Sequence, residues 1–144
     1  MYKGLRLENQ LCFRLYSASR LVTQAYRKYL DPLGLTYPQY LVMLVLWESD
    51  NMPVNDIAHR LMLETNTVTP LLQRMEKEGF VQRSRGASDG RQMIVSLSDK
   101  GRRMEHRAKN VPTCISADLK TESFTPEKLY DFISSLDAII ATLK

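Results

Sequence analysis

Two cysteines are the side chains of this sequence best suited to covalent chemistry. Cys12 lies within residues 11–16, and Cys114 follows Pro112 towards the other end of the chain. A cysteine thiolate attacks peroxides and becomes a sulfenic acid, whereas a buried free cysteine commonly behaves as a small inert residue. In a reducing compartment two cysteines favour reactive or inert thiols over a permanent disulfide. The choice between these two states depends on the elements that position Cys12.

The composition sets the broad class of protein. The 144 residues are 44% hydrophobic and 25% charged, with a formal net charge of +4. A chain of this length can bury a core as one domain, and its charge permits an anionic partner without requiring one. No apolar run approaches the ~20 residues of a membrane span, and residues 1–10 lack the pattern of a secretion signal. We therefore expect one domain over residues 1–144 that is cytoplasmic and has no membrane partner.

The N-terminal half reads as a series of helices. Apolar or small side chains recur every three or four residues from Leu7 to Leu30, which predicts an amphipathic helix that Gly34 terminates. Pro38 opens a second helix, because proline fits the first turn of a helix. That helix is apolar on nearly every side and should lie in the core. Pro53 opens a short third helix.

The pattern changes from helical to alternating in the middle of the chain. A turn at residues 64–66 leads to a fourth helix that Gly79 closes. Residues 80–83 and 93–97 then read as two short strands. The segment between them, residues 84–91, is rich in glycine and arginine and predicts the tip of a basic hairpin.

The C-terminal part reads as further helices. Ser98 and Asp99 cap a long polar helix that Pro112 ends or kinks, and Thr125 begins a last amphipathic helix. The predicted fold is therefore mainly α with a small β-hairpin, a winged helix-turn-helix. The flanking helices carry apolar stripes without a partner in so small a core, so we expect a two-fold homodimer. The parts are the DNA-binding winged helix at 38–97 and dimerisation helices at 7–34 and 98–144.

The start of the fourth helix could read DNA. Its side chains are short or hydrogen-bonding, and such groups contact base edges and phosphates in a major groove. Pro70 should lie in the first turn, where a missing N–H does little harm, which places the helix start near residues 65–67. The same composition also fits an ordinary solvated helix start. The candidate DNA-binding residues of this helix are Thr65, Asn66, Thr67, Thr69, Gln73 and Arg74.

The hairpin beside it makes DNA binding the better interpretation. Arg83, Arg85 and Arg91 surround a loop that contains two glycines. An arginine at such a tip suits the narrow minor groove of A·T-rich DNA. Asp89 is anionic, so we expect it to orient an arginine rather than to contact DNA itself.

Four segments carry a resemblance to a known family: LENQLCF at 7–13, LTYPQYL at 35–41, TVTPLLQRME at 67–76 and DGR at 89–91. Together they resemble the MarR family of dimeric winged-helix regulators. The first three resemble more narrowly its organic-hydroperoxide-sensing, OhrR-type branch, whereas the wing motif is shared across the family. The resemblance covers nearly the whole chain. It implies a transcriptional repressor that leaves double-stranded operator DNA when an organic hydroperoxide oxidises Cys12.

The resemblance also implies roles for three further side chains. Tyr26 and Tyr37 match tyrosines that donate hydrogen bonds to the reactive cysteine of the other subunit, which a phenol can do without adding charge. Cys114 matches a second cysteine that resolves the sulfenic acid as an intersubunit disulfide, which cellular thiol reductants would reset. From the residues alone, the tyrosines could equally be packing residues and Cys114 an inert thiol.

Other functions compete with this hypothesis. His59 and His106 are isolated and no side chains have metal-ligand spacing, so we expect neither a metal nor another cofactor. We also expect a regulator rather than an enzyme. The alternatives are a MarR-type repressor released by a non-covalent aromatic ligand, a thiol peroxidase that uses Cys12, and an architectural DNA binder that ignores oxidants.

Overall fold

Eight α-helices and three short β-strands make up the computed structural model, which describes residues 1–144. They form two compact units, Met1–Val111 and Pro112–Lys144. The predicted class, mainly α with a small β-hairpin, is confirmed. In chain order the elements are α1 (Leu11–Ala25), α2 (Arg27–Leu30), α3 (Tyr37–Glu48), β1 (Met52–Pro53), α4 (Val54–Leu61), α5 (Thr65–Lys77), β2 (Val81–Arg85), β3 (Met93–Leu97), α6 (Asp99–Ala108), α7 (Val111–Leu119) and α8 (Pro126–Leu143).

The first helix begins at Leu11, later than its apolar stripe predicted. Lys3–Leu5 and Leu7–Asn9 form 3₁₀ turns instead, and Gln10 is extended with φ −95° and ψ 114°. The side chains of Asn9 and Gln10 donate to backbone carbonyls of the first turn at 2.7 and 2.6 Å. Such bonds compete with the α-helical ladder and hold the segment in turns. The α1 helix that follows buries none of its side chains within the chain.

The α3 helix begins where Pro38 predicted, and a capping box holds its first turn. The Thr36 hydroxyl accepts from the Gln39 backbone N–H at 3.4 Å, and the Gln39 side chain accepts from the Thr36 N–H at 3.0 Å. Proline is tolerated in this turn because its missing N–H has no intrahelical acceptor. As predicted, α3 lies in the core, and Met43 and Leu46 are fully buried.

The core of the first unit packs α3 against α4, α5 and the sheet. Trp47 lies at the edge of this core, where its indole N–H donates to the Gly101 carbonyl of α6 at 3.0 Å. Its ring meets the Tyr40 ring edge-on, with centroids 6.4 Å apart. The largest fully buried side chains are Leu30, Met43, Leu46, Ile57, Leu72, Met75, Gln39, Val42, Val68, Val81 and Val95.

The turn between α4 and α5 contains a left-handed residue. Met62 has φ 56°, a conformation that is costly for a residue with a Cβ. The backbone N–H groups of Met62 and Leu63 donate to the carbonyls of His59 and Ala58 at 3.1 and 3.0 Å, which closes the end of α4. Met62 is 60% exposed, so its side chain adds little packing in return.

The α5 helix begins at Thr65, within the predicted range of residues 65–67. Its first intrahelical bonds reach the Glu64 carbonyl at 3.0 and 3.1 Å. Pro70 is the sixth residue of this helix, so the prediction that it lies in the first turn is wrong. A proline there removes the N–H that would donate to the Asn66 carbonyl. The helix accommodates this loss at an exposed position, where water can reach that carbonyl.

The three strands form an antiparallel sheet in the order β1-β3-β2. The central strand β3 occupies the predicted residues 93–97, and its Val95 lies opposite Arg83 on one side and Met52 on the other. Strand β2 begins one residue later than the predicted strand 80–83 and extends two residues beyond it. The sequence did not predict β1, because two residues are too short to show an alternating pattern.

The α6 helix begins under the predicted Ser98 cap. The Ser98 hydroxyl oxygen accepts from the Gly101 N–H at 3.0 Å. Glycine is required at position 101, because a Cβ there would lie 2.3 Å from the Phe80 carbonyl oxygen. The helix ends at Ala108, four residues before Pro112, so the prediction that Pro112 ends or kinks it is wrong.

The last two helices lie wholly or almost wholly in the second unit. Pro112 is the second residue of α7, so this proline opens a further helix that the sequence did not predict. Thr125 caps α8, as predicted, by accepting from the Lys128 N–H at 3.4 Å. The rings of Phe124 and Phe132 meet edge-on with centroids 6.1 Å apart. The α8 helix buries none of its side chains within the chain.

Candidate functional site

The α5 helix and the wing, which is the hairpin of β2 and β3 at residues 81–97, line an open groove of about 450 Å³. Four predicted DNA-binding residues line it, two from the helix (Thr65, Thr69) and two from the wing (Asp89, Arg91). Asn55 and Gln92 line the same groove, and sequence reasoning missed both. No pattern singles them out, because their position beside the groove depends on how α4 and β3 pack. The remaining predicted residues are exposed on α5 and the wing: Asn66, Thr67, Gln73, Arg74 and Arg85.

Internal hydrogen bonds orient the start of α5. The Thr65 hydroxyl donates to the Asn55 side-chain oxygen at 3.0 Å, which ties α5 to α4. The Thr69 hydroxyl donates to the Thr65 carbonyl at 2.9 Å. Both hydroxyl hydrogens are therefore used within the protein, and these threonines would meet a DNA ligand as hydrogen-bond acceptors.

The wing is braced against α5 by one arginine. The backbone N–H of Arg83 donates to Glu76 at 2.7 Å, and the Arg83 Nε donates to the other oxygen of that carboxylate at 3.2 Å. Arg83 was grouped with the DNA-facing arginines from the sequence, but its guanidinium lies against α5. The charge of Glu76 offsets its own, so Arg83 acts as a brace.

Two further wing contacts shape the hairpin tip. Arg85 donates to the Gly90 carbonyl across the hairpin at 3.1 Å. Asp89 accepts from the Arg91 backbone N–H at 3.0 Å. The sequence predicted that Asp89 orients an arginine, and the contact goes to the backbone of Arg91 rather than to its guanidinium. The carboxylate thus fixes the turn that carries Arg91.

The two cysteines have free thiols in very different surroundings. Cys12 is exposed on α1, with Phe13 and Tyr16 exposed beside it. The apolar stripe of α1, beside which Cys12 lies, has no buried side chain within one chain. Cys114 is half-buried on α7, in the second unit.

The structure brings together the two tyrosines that the resemblance singled out. The rings of Tyr26 and Tyr37 have centroids 4.8 Å apart, and both residues are half-buried. Burial raises the pKa of both phenols above the ordinary value, and for Tyr26 the neighbouring Tyr37 adds to the effect. Both phenols therefore stay protonated at neutral pH and can donate hydrogen bonds.

Tyr40 completes this aromatic cluster from the core side. Its ring lies 5.8 Å from that of Tyr26 and 6.4 Å from that of Tyr37. It is almost fully buried, and burial together with the other two phenols raises its pKa to about 12. These contacts and its packing against Trp47 give Tyr40 a structural role in the core.

Two other features would indicate a different class of protein: a metal site and a membrane-spanning helix. No group of three or more His, Cys, Asp or Glu side chains is arranged to hold a metal ion. None of the helices combines the length and apolarity that crossing a membrane requires.

Comparisons with known proteins agree with this geometry. Residues 24–107 match the family described as transcriptional regulator SarA/Rot. The chain is 39% identical over 142 residues to the organic hydroperoxide resistance transcriptional regulator of Bacillus subtilis strain 168, covering 99% of this chain and 95% of that protein. Reduced AbfR bound to DNA is 39% identical with a TM-score of 0.81, covering 99% of this chain and 98% of that one. Disulfide-formed AbfR is 41% identical with a TM-score of 0.66, covering 98% and 94%, and AbfR comes from Staphylococcus epidermidis.

Proposed function

This chain belongs to the family of MarR- and SarA-type winged-helix transcriptional regulators, and from that membership we propose that it is a repressor released from its operator by organic hydroperoxide. The Bacillus subtilis relative is named for organic hydroperoxide resistance, and AbfR has been solved in reduced form on DNA and in a disulfide form. These relatives are regulators, which supports a sensing role for Cys12 over the turnover chemistry of a thiol peroxidase.

The repressor acts as a two-fold homodimer. Its recognition helices enter successive major grooves, about 34 Å apart, and the wings reach the adjacent minor grooves. The support is apolar surface that one chain leaves exposed on the flanking helices 7–34 and 98–144, which a second copy would cover. The winged helix at 38–97 reads the operator. Its contact residues are Thr65, Asn66, Thr67, Thr69, Gln73, Arg74, Arg85 and Arg91, with Asp89 shaping the tip.

Cys12 is the sensing group, and the partner's Tyr26 and the partner's Tyr37 hold its thiolate. Two phenol donors stabilise the charged sulfur without adding a charge of their own. The thiolate attacks one peroxide oxygen, the O–O bond breaks, and the leaving alkoxide takes a proton to become an alcohol. Sulfur loses two electrons and Cys12 becomes a sulfenic acid.

Cys114 then resolves the sulfenic acid. The thiolate of the partner's Cys114 attacks the Cys12 sulfur, an S–S bond forms, and hydroxide leaves and is protonated to water. The two Cα atoms must then lie within about 7 Å, which fixes the geometry of the oxidised dimer. The disulfide holds the two recognition helices at a spacing that does not match the operator, so the oxidised dimer leaves the DNA. A cellular dithiol then reduces the disulfide and restores DNA binding.

The Tyr26–Tyr37 pair is the observation that carries this proposal, because two half-buried phenols with centroids 4.8 Å apart form a ready donor pair. A DNA duplex that binds the reduced protein is first selected from random sequences. The test then measures binding of the protein to this duplex before and after treatment with cumene hydroperoxide. We expect wild-type protein to leave the DNA and Cys12→Ser to stay bound. The Cys114→Ser variant should lack the dimer band on a non-reducing gel.

Each alternative predicts a different result. Release of Cys12→Ser by the same oxidant would favour a non-covalent ligand site and refute the thiol mechanism. Repeated peroxide turnover without DNA affinity would favour a thiol peroxidase. DNA binding by wild-type protein that ignores the oxidant would indicate an architectural DNA binder.

A further inference from the structure

Gln39 is a polar side chain buried in the apolar core. It is 1% exposed, and both ends of its amide are used. The Oε1 atom accepts from the Thr36 N–H at 3.0 Å, and the Nε2 atom donates to Glu78 Oε2 at 3.0 Å. A buried amide costs free energy unless its groups are paired. These two partners therefore fix the position of the Gln39 side chain.

Glu78 lies at the junction of the recognition helix and the wing. It follows the last residue of α5 and begins the turn into β2. Two contacts from α6 and its cap hold the same turn: Lys100 Nζ donates to the Glu78 carbonyl at 2.9 Å, and the Ser98 hydroxyl donates to the Gly79 carbonyl at 2.6 Å. A displacement at Glu78 therefore reaches both DNA-reading elements, since one turn joins them.

The Oε1 atom of Gln39 contacts the capped first turn of α3, and the same turn contains Tyr37, one of the two proposed sensor tyrosines. Tyr37 is the first residue of α3, and the capping box between Thr36 and Gln39 closes around it. Its ring is packed against that of Tyr26. The tyrosine pair, the capped turn and the Gln39 side chain thus form one contiguous set of contacts that ends at Glu78.

We propose that Gln39 is a positioning residue that couples the tyrosine pair to the recognition helix and wing through its hydrogen bond to Glu78. This inference rests on the proposed function, because oxidation of Cys12 is the event that disturbs the tyrosines. The Gln39–Glu78 bond passes the resulting shift of the capped turn to the turn after α5.

The test changes Glu78, because this side chain is exposed and its loss leaves the capping box intact. Glu78→Ala removes the acceptor, Glu78→Asp withdraws it by one methylene, and Glu78→Gln keeps an acceptor oxygen. Glu105→Ala is the matched control, since Glu105 is exposed on α6 and its loss changes the net charge equally. Circular dichroism melting confirms that each variant is folded.

The readout is the ratio of operator dissociation constants between oxidised and reduced protein. We expect this ratio to fall about tenfold in Glu78→Ala, less in Glu78→Asp, and to stay at the wild-type value in Glu78→Gln and Glu105→Ala. The rate at which Cys12 gains one oxygen, followed by mass spectrometry, should be the same in all variants. A role of Glu78 in stability alone would not change the ratio.

Several results would overturn the coupling. An unchanged ratio in Glu78→Ala would do so, and so would an equal fall in Glu105→Ala, which would assign the effect to net charge. Wild-type protein that stays on DNA after Cys12 is oxidised would refute the proposed function itself, and the coupling with it. Wild-type release together with equal release of Glu78→Ala would refute the coupling alone.

Discussion

Replacing Glu76 by alanine should lower the free energy of unfolding by about 2 kcal/mol. Its carboxylate accepts from the Arg83 backbone N–H at 2.7 Å and from the Arg83 Nε at 3.2 Å. Hydrogen bonds to a charged group contribute about 1.5–3 kcal/mol, and alanine leaves both donors without this acceptor. The side chains of Arg83 and Glu76 are 20% and 38% exposed, so water restores part of the loss and the effect lies in the lower half of that range.

Two further variants separate the effect of the carboxylate charge from the effect of burial on this loss of stability. Glu76→Gln keeps one acceptor oxygen for the backbone N–H and should cost about 1 kcal/mol. The Arg60–Glu48 pair has a shorter contact of 2.7 Å, but its side chains are 40% and 67% exposed. Glu48→Ala should therefore cost about 0.5 kcal/mol or less, because exposed ion pairs contribute little.

Urea unfolding followed by circular dichroism at neutral pH measures all three variants, with midpoints compared at a common slope. The expected order of destabilisation is Glu76→Ala, then Glu76→Gln, then Glu48→Ala. If Glu48→Ala cost as much as Glu76→Ala, burial would not decide the strength of these contacts. A Glu76→Ala protein as stable as wild type would show that Arg83 does not brace the wing.

Four further predictions follow from single features of the first unit. Met62→Gly should raise the free energy of unfolding by about 0.5 kcal/mol in the same urea assay, because relief of the left-handed backbone exceeds the entropy cost of glycine. Gly101→Ala should lower it by about 2–3 kcal/mol, since the new Cβ would meet the Phe80 carbonyl, and a smaller loss would mean that the turn can move aside. Burial raises the pKa of Tyr40 to about 12, so the folded state holds this proton more tightly than the unfolded chain. Stability should then fall by up to about 3 kcal/mol as pH rises from about 10 to about 12, and a Tyr40→Phe variant with an equal fall would contradict this. Arg91→Ala should weaken DNA binding and reduce the salt dependence of log K by about one, as measured by fluorescence anisotropy over a series of salt concentrations, whereas an unchanged slope would exclude a phosphate contact.

The order of elements could be predicted because local signals mark most of their ends. The proline at 38, the serine cap at 98 and the threonine cap at 125 each begin a helix where predicted. Periodicity was less reliable at the N-terminus, where Asn9 and Gln10 side chains hold 3₁₀ turns across the apolar stripe. An apolar period therefore indicates a face but does not show that the backbone is helical along its whole length.

The candidate site was predictable in its residue types and less so in its contacts. The adjacency of Tyr26 and Tyr37 depends on how the junction of α1 and α2 packs against α3, which no local pattern encodes. For Pro70 the local rule itself misled. Proline is tolerated best in the first turn of a helix, but the exposed α5 helix tolerates Pro70 as its sixth residue. The sequence does not distinguish Arg83 from its basic neighbours, because its pairing with Glu76 depends on how β2 packs against α5.

Trp47 is the one tryptophan of the chain, and its surroundings make it a built-in optical reporter. Its indole is anchored to Gly101 and its ring touches Tyr40, the inner member of the tyrosine cluster. Light absorbed by these tyrosines can pass to the indole, so its emission spectrum should register rearrangements of the cluster without an added dye. Stopped-flow fluorescence could thereby time the arrival of an oxidant signal at the core separately from the departure of DNA.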